Sequence, residues 1–320
     1  MKTQILIISN KEDITTDFIV RKLLSHDVLF YRLNTEDIAH SVFVSLDFEK
    51  QVFIIYDSNL DKHFNLLNFK SVYYRRPEIP LYKDDDLSAK ERRYMQTEVA
   101  YTLEGIYSIL ESAYWISPVW AIRKAENKLY QLQLARQLGF HLPASIATNL
   151  PESFKAFSSN HNECIIKPVR SGHIQDDTSP EVVYTNLLTI TPTDEQIKVC
   201  PNYLQEHIEK KYDVRVTVVG DKTYAVRIES QSTEATKVDW RRGENILPHE
   251  VIELPACVHN QCVAISKALG LQFGAIDYVI DRNGNFVFLE LNPNGQWAWI
   301  ENITGLDISG AISDLLIKNI

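Results

Sequence analysis

No stretch of this chain approaches the roughly eighteen consecutive apolar residues that a membrane-spanning helix needs. Met1-Lys2-Thr3 leads straight into a short strand, not into a signal-peptide hydrophobic region with a small-residue cleavage site. A cytoplasmic protein without membrane contact is expected. Cysteine is scarce: Cys164, Cys200, Cys257 and Cys262 show no C-x-x-C spacing, and the nine histidines form no H-x-x-x-H pair. Neither a disulfide framework nor a zinc site is expected from that pattern, only reduced structural thiols. Positive charge is in deficit as well. A net charge of -9 argues against nucleic acid as a partner, because phosphate neutralisation needs clustered Lys and Arg. Internal repeats and low-complexity tracts are missing, and no Ser-His-Asp or Cys-His arrangement is evident. What remains is a chain of 320 residues, 45% of them hydrophobic, which is enough for two or three domains with cores of their own.

The stretch with most to say runs from Gly274 to Gly295 and reads as one β-hairpin. Ala275 to Ile280 and Phe286 to Leu291 are β-branched and apolar, each around a single acid, and Asp281-Arg282-Asn283-Gly284-Asn285 lies between them. Asn-Gly is a strong hairpin signal. With Asn283 and Gly284 as the centre of a type I′ turn, Asp277 falls directly opposite Glu290, and Asn292 follows on the same face by the period-two alternation of a strand. Like charges facing each other across a ladder are destabilising, so the pair calls for a cation. Oxygen-only ligands suit Mg²⁺, which completes its shell with water and phosphate oxygens. A nucleotide is then the expected third party.

The rest of the chain is consistent with an α/β (α+β) organisation. Gln4 to Ser9, a helix over Ile14 to Ser25 and Val28 to Arg32 suggest an opening α/β unit. Val42 to Leu46 and Val52 to Tyr56 read as a meander, and Ser71 to Tyr74 as a strand running into Arg75-Arg76-Pro77. A long helix over Ser88 to Ser112 precedes Ser117-Pro118, where a domain boundary is expected. An amphipathic helix from Lys124 to Leu138 carries Lys128 in its first turn. Cys164 to Lys167 is a strand that delivers one lysine, a usual way to place a compact positive charge on a phosphate. The polar segment Arg170 to Pro180 reads as a mobile loop that would act as a lid. Arg215 and Arg227 stand in otherwise apolar neighbouring strands joined at Gly220-Asp221, and the connection Gln231 to Pro248 contains Asp239-Trp240-Arg241-Arg242.

Lys128, Lys167-Pro168, Gln205-Glu206-His207-Ile208, Arg215, Asp277, Glu290 and Asn292 occur in the order of the ATP-grasp carboxylate–amine ligases, which the chain therefore resembles. Several runs are similar to one branch, the microviridin-type (graspetide) peptide macrocyclases. These are Tyr74-Arg75-Arg76, Gln131 to Gly139, Asp239-Trp240-Arg241, Gly274-Ala275-Ile276-Asp277, Leu289-Glu290-Leu291-Asn292-Pro293 and Trp297-Ala298-Trp299-Ile300-Glu301. The resemblance implies an ATP-grasp fold in three parts: an N-terminal pre-ATP-grasp domain (1–118), a central subdomain (119–201) and a C-terminal subdomain (202–320), with nucleotide between the last two. It implies that Lys128 and Lys167 contact ATP phosphates and that Gln205 to Ile208 face the adenine, with backbone groups of Glu206 and Ile208 serving the base. Asp213 would meet the ribose, Arg215 the γ-phosphate or acyl phosphate, and Asp277, Glu290 and Asn292 would hold Mg²⁺. A homodimer is implied as well. The loop after Lys167 is poorer in glycine than many phosphate loops of the family, and Arg227 stands where a microviridin ligase can carry a small residue.

The expected chemistry is activation of a carboxylate as an acyl phosphate, driven by positioning and charge neutralisation without a protein nucleophile. For the macrocyclases the substrate is a precursor peptide with a leader and a core. An Asp or Glu side chain of the core is attacked by Thr, Ser or Lys to give an ester or amide. Arg215 and Arg227 are the catalytic candidates, with Arg227 facing the cleft to hold the core carboxylate, and Arg75, Arg76, Asp239, Trp240 and Arg241 are candidates for peptide contact. Two alternatives stand beside this: a ligase adding free amino acids to a peptide or protein, and a degenerate ATP-grasp fold that only binds peptide, against which the complete set of cations and acids argues.

Overall fold

The computed structural model describes residues 3–82, 86–170, 173–174, 181–242 and 247–320. Most of the expected lid, 170–180, lies outside the described residues. The chain forms two compact units: Met1–Ala121 with Gly270–Phe273 and Gln296–Ile320, and Ile122–Leu269 with Gly274–Gly295.

The first unit is built on a parallel sheet in the order Phe30–Asn34, Ile5–Ser9, Ser71–Tyr74, Tyr114–Trp115. Ile5–Ser9 is buried at every residue, as a strand between two neighbours and covered on both faces must be. The helix Ile14–Ser25 connects the first two strands, its start fixed by the Asp13 carboxylate accepting from the Thr15 N–H at 3.0 Å. An antiparallel meander of Val42–Asp47, Val52–Asp57 and Lys62–Asn65 adds Phe53 and Ile55 to the core. Its third strand was not expected, because Lys62-His63-Phe64-Asn65 carries too little apolar signal. The helix Ala89–Ile109 begins at a reciprocal capping box between Ser88 and Glu91. The C-terminal helix Ile308–Lys318 packs on Ile14–Ser25 in this same unit.

Among the described residues the second unit carries two larger sheets, besides the short antiparallel pair His173–Ile174 with Glu181–Val182, whose first strand falls within the segment expected to be a loop. The first larger sheet is antiparallel in the order Asn186–Leu187, Cys164–Lys167, Asn202–Glu206, Ser145–Thr148, with Phe154, Ile197 and Leu204 packed beneath it. The second has the order His249–Ile252, Lys222–Ile228, Lys210–Val219, Phe273–Asp281, Phe286–Asn292, and the helix Ala256–Ala268 packs against its middle strands. The expected helix 124–138 is two helices, Val119–Ala125 and Lys128–Gln137. The break falls at Asn127, whose side chain accepts from the Tyr130 N–H at 3.1 Å and so caps the second helix.

Candidate active site

The hairpin Phe273–Asp281/Phe286–Asn292 brings Asp277 opposite Glu290, by a route other than the expected one. Its turn is a three-residue loop. Asp281 pairs with Asn285, the Gly284 N–H donates to the Asp281 carbonyl, and Gly284 takes a φ of 89°, which a side chain would resist. The ladder near the turn therefore matches Tyr278 to Phe288, and carried on unbroken it would set Leu289 opposite Asp277 and send Glu290 to the other face. The register shifts between Asp277 and Tyr278 instead, with Leu289 as the extra residue of a bulge. That bulge restores the opposed acids.

Around them the charges interlock. Lys128, at the first helical position after its Asn127 cap, sets its Nζ 2.9 Å from Glu290 Oε2. Arg215 Nη1 spans both Asp277 oxygens at 2.7 and 2.8 Å. Lys167 ends its strand with Nζ donating to Gln205 Oε1 at 2.9 Å and lying 5.1 Å from the centre of the Tyr203 ring. Gln205 is fully buried and donates in turn to Ser145 Oγ and Tyr203 OH, which fixes its oxygen toward the lysine. Burial pushes the Lys167 ammonium down to about 8, against the pull of Glu290. For Glu290 burial works upward, but Lys128 and Lys167 together hold the carboxyl down at about 2. Asp277 moves the other way. Burial raises it, aided by the neighbouring Glu290 charge, and Arg215 offsets only part of that.

These groups border a cavity of about 380 Å³, lined among others by Lys128, Lys167, Asp213, Arg241, Glu290 and Asn292. The volume lies in the range of small-ligand sites. Asp213 is buried against Lys210 at 2.7 Å, and Lys210 also reaches the Val238 carbonyl at 3.4 Å. Asp239 is held by a two-nitrogen fork from Arg241 at 2.8 and 2.7 Å, and with Trp240 both line the cavity. Lys210 escaped the sequence reading because a lysine beside Lys211 at a strand start looks solvated; only its burial marks it. Ser145 carried no signal at all.

Other expected residues stand elsewhere. Arg227 does not face the cavity. It is paired across the ladder with Val214, whereas Arg215 pairs with Val226, so the two arginines take opposite faces of the sheet. Arg227 lies over the Tyr212 ring at 4.2 Å and forms ion pairs with Glu250 and Glu229. Arg75 is 1% exposed within the first unit, where Asp13 and the Gln296 side chain at 2.8 Å take its guanidinium, which leaves it no surface for a peptide. Arg76 is exposed at a φ of 45°. Arg215 does not line the cavity and meets it through Asp277, and its Nε–H is buried with no acceptor among the described residues. Glu206, His207 and Ile208 are not among the lining residues. The Glu206 N–H is taken by the Ala144 carbonyl and the His207 ring by Glu163.

Two facing carboxylates and one side-chain amide, all oxygen donors, match the sparse protein ligation of Mg²⁺ completed by water and phosphate. Among the described residues no cluster of three His, Cys, Asp or Glu side chains is available for a metal that wants a full protein shell.

A sheet hairpin of opposed acids, lysines delivered from a strand end and a helix start, and a cavity between antiparallel sheets define a nucleotide-dependent ligase of the ATP-grasp class. The chain belongs to the RimK-like ATP-grasp family, whose model matches residues 125–316, and residues 4–123 match the MvdD pre-ATP-grasp domain. Over 99% of its length it is similar to a Chryseobacterium gregarium RiPP-associated ATP-grasp ligase, solved with ADP and a leader and core peptide. That likeness covers 97% of the other chain, with 28% identity and a TM-score of 0.88. The macrocyclase MdnC of Microcystis aeruginosa, solved with precursor peptide MdnA, matches over 99% of this chain and 100% of its own at 25% identity and a TM-score of 0.85. A probable alpha-L-glutamate ligase of Hahella chejuensis is 24% identical over 69% of both chains. Among the described residues no helix is long and apolar enough to cross a membrane.

Proposed function

We propose that this chain is a graspetide macrocyclase: it uses ATP and Mg²⁺ to activate Asp or Glu side chains of a precursor peptide and joins them to Thr, Ser or Lys of the same peptide. The observation that carries this reading is the opposed pair Asp277–Glu290, lining one cavity with Lys128 and Lys167 while Arg215 backs Asp277 from outside it. The full-length likeness to a peptide ligase solved with ADP, leader and core supports the choice of substrate. The division 1–118, 119–201 and 202–320 belongs to the same proposal, with the strand Asn202–Glu206 of its last part paired into the first larger sheet of the second unit and Gln296–Ile320 belonging to the first unit. So does a homodimer.

In this reading a side-chain carboxylate oxygen of the core attacks the γ-phosphorus of ATP, the bond to the β-γ bridging oxygen breaks, and ADP leaves. A hydroxyl or amine then attacks the acyl carbon, inorganic phosphate departs, and the proton of the nucleophile passes to solvent or to the phosphate. Mg²⁺, held by Asp277, Glu290 and Asn292, would neutralise charge on the phosphates. Lys128 and Lys167 bind the phosphates, and Asp213 with Lys210 serves the ribose side. Since Arg227 is on the other face, Arg241 takes the role of holding the core carboxylate. It lines the cavity, its side chain is 54% exposed, and Asp239 fixes its plane.

The likeness to glutamate ligases supports a second reading, addition of free amino acids. Mass spectrometry of the processed peptide separates the two. Macrocyclisation removes one water per bond, whereas ligation adds residue mass. With Mg²⁺, ATP and peptide, hydroxylamine should trap the activated carboxylate while ADP and phosphate appear in equal amounts; AMP and pyrophosphate would exclude the acyl phosphate route.

A further inference from the structure

Gln131 sits in the helix Lys128–Gln137, one turn beyond Lys128, and is 2% exposed. Its side-chain amide meets the hairpin at one residue, Leu291. The Leu291 N–H donates to Gln131 Oε1 at 2.8 Å, and Gln131 Nε2 donates to the Leu291 carbonyl at 2.7 Å and to the Ala125 carbonyl at 2.5 Å. Phe286–Asn292 is the edge strand of its sheet, so these two backbone groups have no strand to pair with. The amide therefore does for Leu291 what the peptide group of a sixth strand would do. Three residues back, the Phe288 N–H is taken by the His141 carbonyl at 2.9 Å, which leaves the bulged stretch fastened on its outer side at both ends.

Leu291 lies between Glu290 and Asn292. Holding its peptide fixes the Cα of both neighbours, and the same helix brings Lys128 to Glu290. We propose that Gln131 is a positioning residue for the cation site: it clamps the edge strand so that Glu290 and Asn292 face the cavity in fixed register, and it ties that register to Lys128. The inference rests on the reading that Glu290 and Asn292 hold the nucleotide's divalent ion. Partners of this kind, one shell out from the ligands, ordinarily change metal affinity by about 10- to 100-fold when removed.

The test measures ADP affinity by calorimetry with Mg²⁺ and with EDTA, the ratio of the two giving the metal-dependent gain. Gln131→Met keeps length and volume but removes both hydrogen-bonding arms. It should leave ADP affinity in EDTA within about 2-fold of wild type and cut the gain about 10-fold or more. Ala135→Gly, one turn on in the same helix, lowers stability without touching the clamp and should keep the full gain. The proposal is overturned if Gln131→Met retains the gain, if Ala135→Gly loses it equally, or if Gln131→Met fails to fold, which would make the role purely structural. Failure of the parent reading looks different: Glu290→Gln would then keep the gain.

Discussion

Glu290 is the residue on which the site's electrostatics turn. Burial would favour its neutral form, yet the ammonium groups of Lys128 and Lys167 hold it ionised. Such an arrangement suits a group that must present charge to a cation throughout the physiological range. Glu290→Gln keeps the shape and removes the charge. It should leave the melting temperature close to wild type and reduce ATP turnover at least about 100-fold, equivalent to about 3 kcal/mol of lost transition-state stabilisation. Steady-state rates with a coupled ADP assay check this; near-normal turnover in a folded variant would remove Glu290 from the ligand set. Arg227 is the contrasting case. Its apolar neighbours made it look functional in the sequence, but a strand's alternation sends it to the face away from Arg215, into an ion pair with the half-exposed Glu250. Arg227→Ala should cost at most about 1 kcal/mol of stability and leave turnover within about 2-fold of wild type. A much larger loss of turnover in a stable variant would return Arg227 to the active site.

At the scale of elements, the hairpin was legible for a reason only half right. Alternating apolar residues around two acids fixed which side chains belong together, and Asn283-Gly284 marked the turn, but a sequence does not say whether a loop holds two residues or three. The three-residue loop displaces the ladder by one, and the bulge at Leu289 displaces it back, so that the acids still meet. A bulge has no residue signature when its extra residue is an ordinary leucine. For the same reason the capped break at Asn127 was missed: a polar residue within an amphipathic pattern reads as one exposed position until its side chain is seen to accept from Tyr130. A strand end that carries charge, such as Lys167, is legible because the three apolar residues Cys164 to Ile166 before it leave little choice. The turn itself gives a pH test. The Asp281 carboxylate accepts from Asn285 Nδ2 at 2.9 Å and from the backbone N–H groups of Asn283 and Asn285 at 2.8 Å each. The Asn285 side-chain bond leads in holding it below its ordinary 3.8. A carboxyl lowered in the folded state stabilises above its unfolded value and ceases to as pH falls through its folded one. Wild type should therefore melt above Asp281→Ala at pH 7, and the gap should narrow below pH of about 4. A gap of constant size down to pH of about 2 would show that the ionised carboxylate does not hold the turn.

At the scale of the whole molecule, the chain passes between its two units four times, at 121/122, 269/270, 273/274 and 295/296, so the cavity-bearing unit is an insertion within the first. Trp297 is fully buried and the helix Ile308–Lys318 carries seven buried residues, which makes the C-terminal segment part of the first unit's core. Within the second unit the connection beyond Ser230 is pinned to the central sheet. Arg242 donates to the Thr185 carbonyl at 2.7 Å and to Asn186 Oδ1 at 2.8 Å, and it lies over the Tyr184 ring. The surface so formed combines aromatic groups and fixed charge beside Arg241, and with Tyr184 and Thr185 lining the cavity it suits a peptide segment held next to the reacting atoms. An acyl phosphate hydrolyses readily, so the nucleophile of a mobile core must already be close when activation occurs, and anchoring a remote leader raises its effective concentration without new contacts at the reacting centre. Deleting the leader should therefore slow dehydration of the core by at least about 100-fold, the lower end of what such linkage supplies. Adding the leader as a separate peptide should recover part of that rate by ordering the anchoring surface, but not the share due to tethering. Time courses of water loss by mass spectrometry measure all three rates. Equal rates for full-length and leaderless peptide would discard two-site recognition and favour a ligase acting on free amino acids or short peptides.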